Sequence, residues 1–211
     1  MISPEQLTHI LKSAPKLEVL ALHWDILCEA YEDDDDRRVT EVWEAVEHRK
    51  DSLRELRLDV RTDTEVGVAG RVSLADFERL EVLRVDGHSL EPLWRAWRER
   101  NRHAMVHSFL SGMFPPSIRE VTFWRLDGAE YKEAMLRFAK MVALGRYPKL
   151  ERVVMAPSEL SDRLASDDEW RNAEVWTALK DELEDVFGKR GVTFELSRGS
   201  LYGYWSGGVL D

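Results

Sequence analysis

The sequence predicts an α/β fold in which about six parallel strands form one sheet, with helices or loops joining them on a single side. Three observations lead there. An apolar segment recurs at fixed internal spacing: Leu17-x-x-Leu20-x-Leu22, Leu53-x-x-Leu56-x-Leu58, Leu80-x-x-Leu83-x-Val85, Ile118-x-x-Val121-x-Phe123 and Leu150-x-x-Val153-x-Met155. The stretches between copies carry apolar residues at helical spacing instead. The residues alternating with the apolar pair are largely polar, as in Glu55 and Arg57, Arg84 and Asp86, or Glu120 and Thr122, so one face of each strand stays wet.

An apolar pair at period two, preceded by a third apolar residue three positions back, is the strand of a leucine-rich repeat. The fold class is therefore a leucine-rich-repeat solenoid, a horseshoe with a parallel concave sheet. Val192, Phe194 and Leu196 read as a degenerate sixth copy. First positions at 17, 53, 80, 118 and 150 lie 36, 27, 38 and 32 residues apart. Most of these intervals exceed the about 20 to 29 residues usual for such repeats, so each must hold a helix or an insertion. A doubly wound α/β enzyme shares the strand-helix-strand order, but its strands are apolar on both faces. No glycine-rich turn follows any strand to cradle a phosphate.

The connections can be taken in order. Ser3-Pro4-Glu5-Gln6 predicts a helix start, with Ser3 as cap, Pro4 in the first turn and Gln6 three residues after the cap. Leu7, Ile10 and Leu11 follow on that helix. Val39, Val42, Trp43 and Val46 make the stripe of a second helix. Thr62 to Arg71 reads as a loop, Ser73 to Phe77 as a single turn at most, and Leu90 to Asn101 as a helix with Pro92 in its first turn. Tyr131, Met135, Phe138 and Val142 form another stripe, closed by Gly145, where a left-handed residue is easily accommodated. Trp176, Leu179, Leu183 and Val186 form the last, expected to close at Gly188.

At 211 residues and 44% hydrophobic, the chain can bury a sizeable core as one leucine-rich-repeat domain over residues 1–199, followed by an aromatic and glycine-rich tail over 200–211. The net charge of −10 argues against nucleic acid, whose binding rests on Lys and Arg neutralising phosphates, and against an anionic membrane surface. The single cysteine, Cys28, allows no internal disulfide. No apolar run approaches the ~20 residues of a membrane span, and the N-terminus lacks a signal-peptide core. The expected location is the cytoplasm, with the nucleus as alternative.

Several segments resemble a known family. The run from Ser73 through Leu74, Phe77, Leu80 and Leu83 to Val85 is similar to a repeat of fungal F-box-type leucine-rich-repeat proteins. Phe114-Pro115-Pro116-Ser117-Ile118 resembles the Pro-Pro-Ser-Leu lead-in to their strands, and Tyr147-Pro148-Lys149-Leu150 their Pro-x-Leu lead-in. The similarity extends over about residues 5 to 197. It implies a substrate receptor of a cullin-type ubiquitin ligase, in which an F-box docks on the ligase adaptor and the repeats read the target. Only 16 residues precede Leu17, too few for an F-box. The chain is thus expected to be a remnant lacking the F-box or part of a longer product, meeting ligase subunits only where an F-box is supplied elsewhere. The ninth motif positions, Asp25, Arg61, His88, Leu126 and Ser158, also lack the asparagine or cysteine of regular repeats.

Alternation assigns the outward positions. On the concave face, His23, Arg57, Asp59, Arg84, Asp86, Trp124 and Arg152 are the candidate protein-binding residues, and Arg and Trp dominate interface energetics. Two readings stand open for them. Arg57 and Arg84 either pair with Glu55 and Glu120 or meet a partner, and Trp124 either packs under a loop or is exposed.

Chemistry finds no foothold. His103 and His107 lie four apart but have no third ligand at metal spacing. Asp33 to Asp36 lacks the alternation and glycine of a calcium loop and instead suits a helix start. Cys28 reads as core. No Gly-x-Ser-x-Gly elbow, His-Glu-x-x-His or phosphate loop occurs, and a site around His23, Asp25, Asp86 and His88 would need a convergence that sequence does not display. The tail Leu201-Tyr202-Gly203-Tyr204-Trp205 either caps the last strand or acts as a short binding peptide. The function expected is non-enzymatic protein recognition of an unknown partner, without cofactor or metal. The alternative is a structural protein that self-associates through the edge of its first strand.

Overall fold

Each recurring apolar pair lies on a strand: β1 (Val19–Asp25), β2 (Glu55–Arg61), β3 (Val82–Asp86), β4 (Glu120–Trp124), β5 (Arg152–Ala156) and β6 (Thr193–Leu196). All pair in parallel, in the order β1-β2-β3-β4-β5-β6. The computed structural model describes residues 2–25, 35–61, 73–87, 89–90, 93–94, 109–124, 129–156 and 179–197. The molecule is thus α/β, with one six-stranded parallel sheet among the described residues. Because the strands add in sequence order, the sheet has no point where strand order reverses, which is where doubly wound enzymes bind ligands.

The register follows the apolar motif without a slip. Leu20, Leu56, Leu83, Val121, Val153 and Phe194 form one row across the sheet, and Leu22, Leu58, Val85, Phe123, Met155 and Leu196 the next. Both rows face the core, where the four inner strands are fully buried at these positions. A shift of one residue would turn either row to the opposite face. With ~1.5–3 kcal/mol for each fully buried aliphatic side chain, that shift is heavily penalised.

The backbone repeats as regularly as the side chains. Leu17, Leu80, Ile118 and Leu150 each donate an N–H to the carbonyl three residues back, at 3.1, 3.0, 3.2 and 3.2 Å, so a tight turn leads into each of those strands. In the first four copies the residue after the leading apolar position accepts two N–H groups from the following copy. Glu18 accepts from Arg54 (2.7 Å) and Glu55 (3.0 Å), Arg54 from Glu81 (2.8 Å) and Val82 (2.9 Å), and Glu81 from Arg119 (2.7 Å) and Glu120 (3.0 Å). Arg119 continues the series with Glu151 (2.8 Å) and Arg152 (3.1 Å).

Helices fill one face. α1 (Pro4–Ser13) opens on a complete capping box: Gln6 N–H donates to Ser3 Oγ at 3.2 Å, and Ser3 N–H to Gln6 Oε1 at 2.8 Å. It packs on α2 (Asp35–Glu47), whose Val42, Trp43 and Val46 are buried. Leu74–Asp76 forms a single 3₁₀ turn, within the stretch expected to hold no more than one turn. The short α3 (Phe109–Met113) had no signal in the apolar pattern. In α4 (Ala129–Ala143), Met135, Phe138 and Val142 are buried against the sheet, together with Leu183 and Phe187 of the helical stretch 179–188. Phe114, Phe138 and Tyr147 meet edge to face, and Phe187 stacks on Phe194 at 5.5 Å.

Two helix ends can be set against expectation, one agreeing and one differing in its closing residue. Gly145 takes φ +84° and closes α4 with a paired terminal turn, Gly145 N–H to Val142 O at 2.8 Å and Arg146 N–H to Met141 O at 3.1 Å. The last helix reaches Gly188, as expected. Regular helix ends there, but Gly188 is not left-handed, and the closing turn falls at Gly191 with φ +72°, Gly191 N–H to Gly188 O at 2.9 Å and Val192 N–H to Phe187 O at 3.2 Å. Phe187, one residue before Gly188, is buried and stacks on Phe194.

The loop over Thr62 to Arg71, the 200–211 tail, Cys28, Asp33, His103 and His107 lie outside the described residues, as do most of the helix expected over Leu90 to Asn101 and the side chains of the ninth motif positions. Among the described residues no helix is long and apolar enough to cross a membrane.

Candidate functional site

The sheet face opposite the core cluster carries every residue singled out by alternation. Its first two rows form a charge lattice rather than a set of isolated cations. Arg57 Nε donates to Glu55 Oε1 at 2.5 Å along its own strand. Arg84 reaches two carboxylates, Glu120 at 3.0 Å and Glu55 at 3.6 Å. Arg152 likewise lies 2.7 Å from Glu195 and 3.9 Å from Glu120. Three guanidinium groups and three carboxylates therefore alternate diagonally from β2 to β6, and their formal charges cancel. Of the two readings open for Arg57 and Arg84, internal pairing is the one adopted.

The third row is different, and here exposure departs from expectation. Asp59 and Asp86 are fully buried and Trp124 is 5% exposed, although all three occupy outward positions. Thr122 and Val154 in the second row are buried too. Trp124 and Val154 stand apart from the main core cluster, so this face has buried ground of its own. Alternation settles which face a side chain takes, and says nothing of what lies over that face.

Each buried carboxylate has a definite job. Asp59 accepts from His23 Nδ1 at 2.9 Å across the β1–β2 pair, and the His23 side chain remains 44% exposed. Asp86 caps a turn: Ser89 N–H donates to its Oδ1 at 3.1 Å and the Ser89 hydroxyl donates to its Oδ2. Gly87 is already helical, so Asp86 is the N-cap of the helix expected to begin at Leu90. Trp43 Nε1 of α2 donates to the Ser89 carbonyl at 2.7 Å, tying this turn to the core. The cap was legible as Asp86-Gly87-His88-Ser89, an Asp three residues ahead of a serine.

Compared with known proteins, the chain matches no family model, no curated protein and no solved structure. Its own geometry carries the reading.

Outside the lattice, a second alternation runs just ahead of the strands. Glu18, Arg54, Glu81, Arg119 and Glu151 occupy equivalent positions and alternate in sign. Arg119 Nη2 donates to Glu151 Oε1 at 2.5 Å, and the hydrogen bond and charge of Glu151 hold its guanidinium above the ordinary arginine range. Glu18 lies 3.9 Å from Arg79. Among the described residues no three His, Cys, Asp or Glu side chains gather as a metal site.

Proposed function

We propose that the chain is a leucine-rich-repeat recognition module, non-enzymatic, which holds a protein partner on the lattice face of its sheet. One observation carries this reading: the face opposite the helices presents a half-exposed lattice of Arg57, Glu55, Arg84, Glu120, Arg152 and Glu195, fixed by mutual pairing. Such a lattice is pre-organised. A partner with complementary polar groups meets side chains whose rotamer entropy is already spent, which lowers the cost of association. Because the lattice is neutral, it selects partners by pattern rather than by bulk charge. The sequence resemblance adds the role of substrate receptor for a cullin-type ubiquitin ligase.

Affinity capture from a native lysate tests both levels, comparing the parent chain with Arg152→Glu and with Arg57→Ala. These variants spare Trp124 and Asp86, whose burial makes them stability residues. A partner retained by the parent and lost by both folded variants supports recognition on this face. Capture of ligase subunits by the parent supports the receptor role. Identical captures by all three chains refute the lattice face as the binding surface.

A further inference from the structure

At β1 the series of doubly accepting carbonyls ends with its donors unmatched. The N–H groups of Arg54 and Glu55 go to Glu18, and the next three copies repeat the pattern, while in the last only Thr193 donates to Glu151. The equivalent N–H groups of Glu18 and Val19 point past the sheet edge, with no acceptor among the described residues. Val19 is 54% exposed and Ala21 is exposed. Of the usual guards against edge pairing β1 has no Lys or Pro, and one acidic residue, Asp25, at its far end. The opposite edge is blunted: β6 has only four residues and carries Glu195.

The residue just ahead of β1 describes what would fit this edge. The alternation Glu18, Arg54, Glu81, Arg119, Glu151 begins with a carboxylate, so a strand laid ahead of β1 in the same phase continues it only with a basic residue.

We infer that the β1 edge binds an extended segment of another protein, added parallel to β1, with a basic residue opposite Glu18 and apolar residues at period two behind it. Backbone hydrogen bonds to the Val19 and Ala21 positions supply affinity, and the alternate side chains supply selectivity. The net charge of −10 draws a basic segment toward the chain. This edge is separate from the lattice face, so either can fail without the other.

The test uses the full chain and a labelled peptide copying residues 52–60, whose Leu-Arg-Glu-Leu-Arg-Leu run carries the required pattern. Fluorescence anisotropy should show saturable binding that weakens about tenfold when the peptide carries Arg54→Glu, since like charges then face each other. Glu18→Lys in the protein should reverse that preference, and a purely structural role for Glu18 would not. Ala21→Pro, which removes an outward N–H, should abolish binding of both peptides while circular dichroism shows the fold retained. Absence of saturable binding overturns the inference, as does equal affinity for both peptides or no reversal with Glu18→Lys. Sedimentation of the chain alone as a dimer that Ala21→Pro dissociates also overturns it, because a second copy then fills the edge.

Discussion

His23 and Asp59 face each other across the β1–β2 pair, Nδ1 to Oδ2 at 2.9 Å, with the carboxylate fully buried and the imidazole side chain 44% exposed. The half-exposed member therefore serves the buried one. Replacing it leaves a buried carboxylate one donor short, which costs about 1–3 kcal/mol. His23→Ala should lower stability by that amount in urea unfolding. A loss no larger than that of Ala21→Ser, which disturbs no side-chain partner, would show that Asp59 is held without His23.

Within the lattice, Arg84 and Glu120 have side chains 25% and 21% exposed, and Glu55 and Arg152 extend the contact on either side. Isolated surface pairs are worth about 0.2–1 kcal/mol, and this network should sit at the upper end of that range. A double-mutant cycle with Arg84→Ala and Glu120→Ala should give coupling near 1 kcal/mol, shrinking at ~1 M salt as the Debye length falls to about 3 Å. Coupling that ignores salt would mean that shape, not charge, holds the pair.

Gly145 is one of the two left-handed helix ends, and an added Cβ there would make only ordinary contact with the flexible Arg190 guanidinium at 3.6 Å, so backbone conformation sets most of the cost. Gly145→Ala should destabilise by about 1–2 kcal/mol. Gly188→Ala, in helical backbone with open space around it, should be neutral or stabilising by a fraction of about 1 kcal/mol. The melting temperature of Gly145→Ala should thus fall, while that of Gly188→Ala should hold or rise.

Tyr147 is buried among Phe114 and Phe138, and that burial raises its phenol above the usual 10.0. A phenol with a higher pKa when folded keeps its proton more tightly in the native state. Its stabilising contribution is complete below about pH 10 and is lost as pH climbs through the folded value. Melting temperature of the parent should fall more steeply above pH 10 than that of Tyr147→Phe. Parallel profiles would show that other groups govern alkaline unfolding.

Much of the fold was legible because it rests on local, repeated rules. Period-two leucines fix which face each strand buries, and aligning those leucines also fixes the register from β1 to β6. Ser3 with Gln6 and the glycine at 145 mark helix ends by residue type alone. Residue type points to Gly188 for the last helix, whereas the left-handed turn falls at Gly191, a position the apolar stripe does not mark. The candidate site was less legible. Trp124, Asp59 and Asp86 take the face that alternation assigns, but their burial depends on chain from elsewhere in the sequence. Arg84 could be matched with Glu120 by position, whereas its second partner, Glu55, depends on side-chain reach across β2 and β3.

The doubly accepting carbonyls at Glu18, Arg54, Glu81 and Arg119 set the pitch between neighbouring strands without reference to the length of chain between them. Intervals of 36, 27, 38 and 32 residues all satisfy one and the same joint. Growth of the molecule is thereby uncoupled from the content of its connections: a connection can gain or lose whole turns, and a further unit can be spliced in, at a constant advance of about 4.8 Å along the sheet. A protein assembled on such a joint can diversify its outer surface freely while its inner scaffold keeps the same gauge.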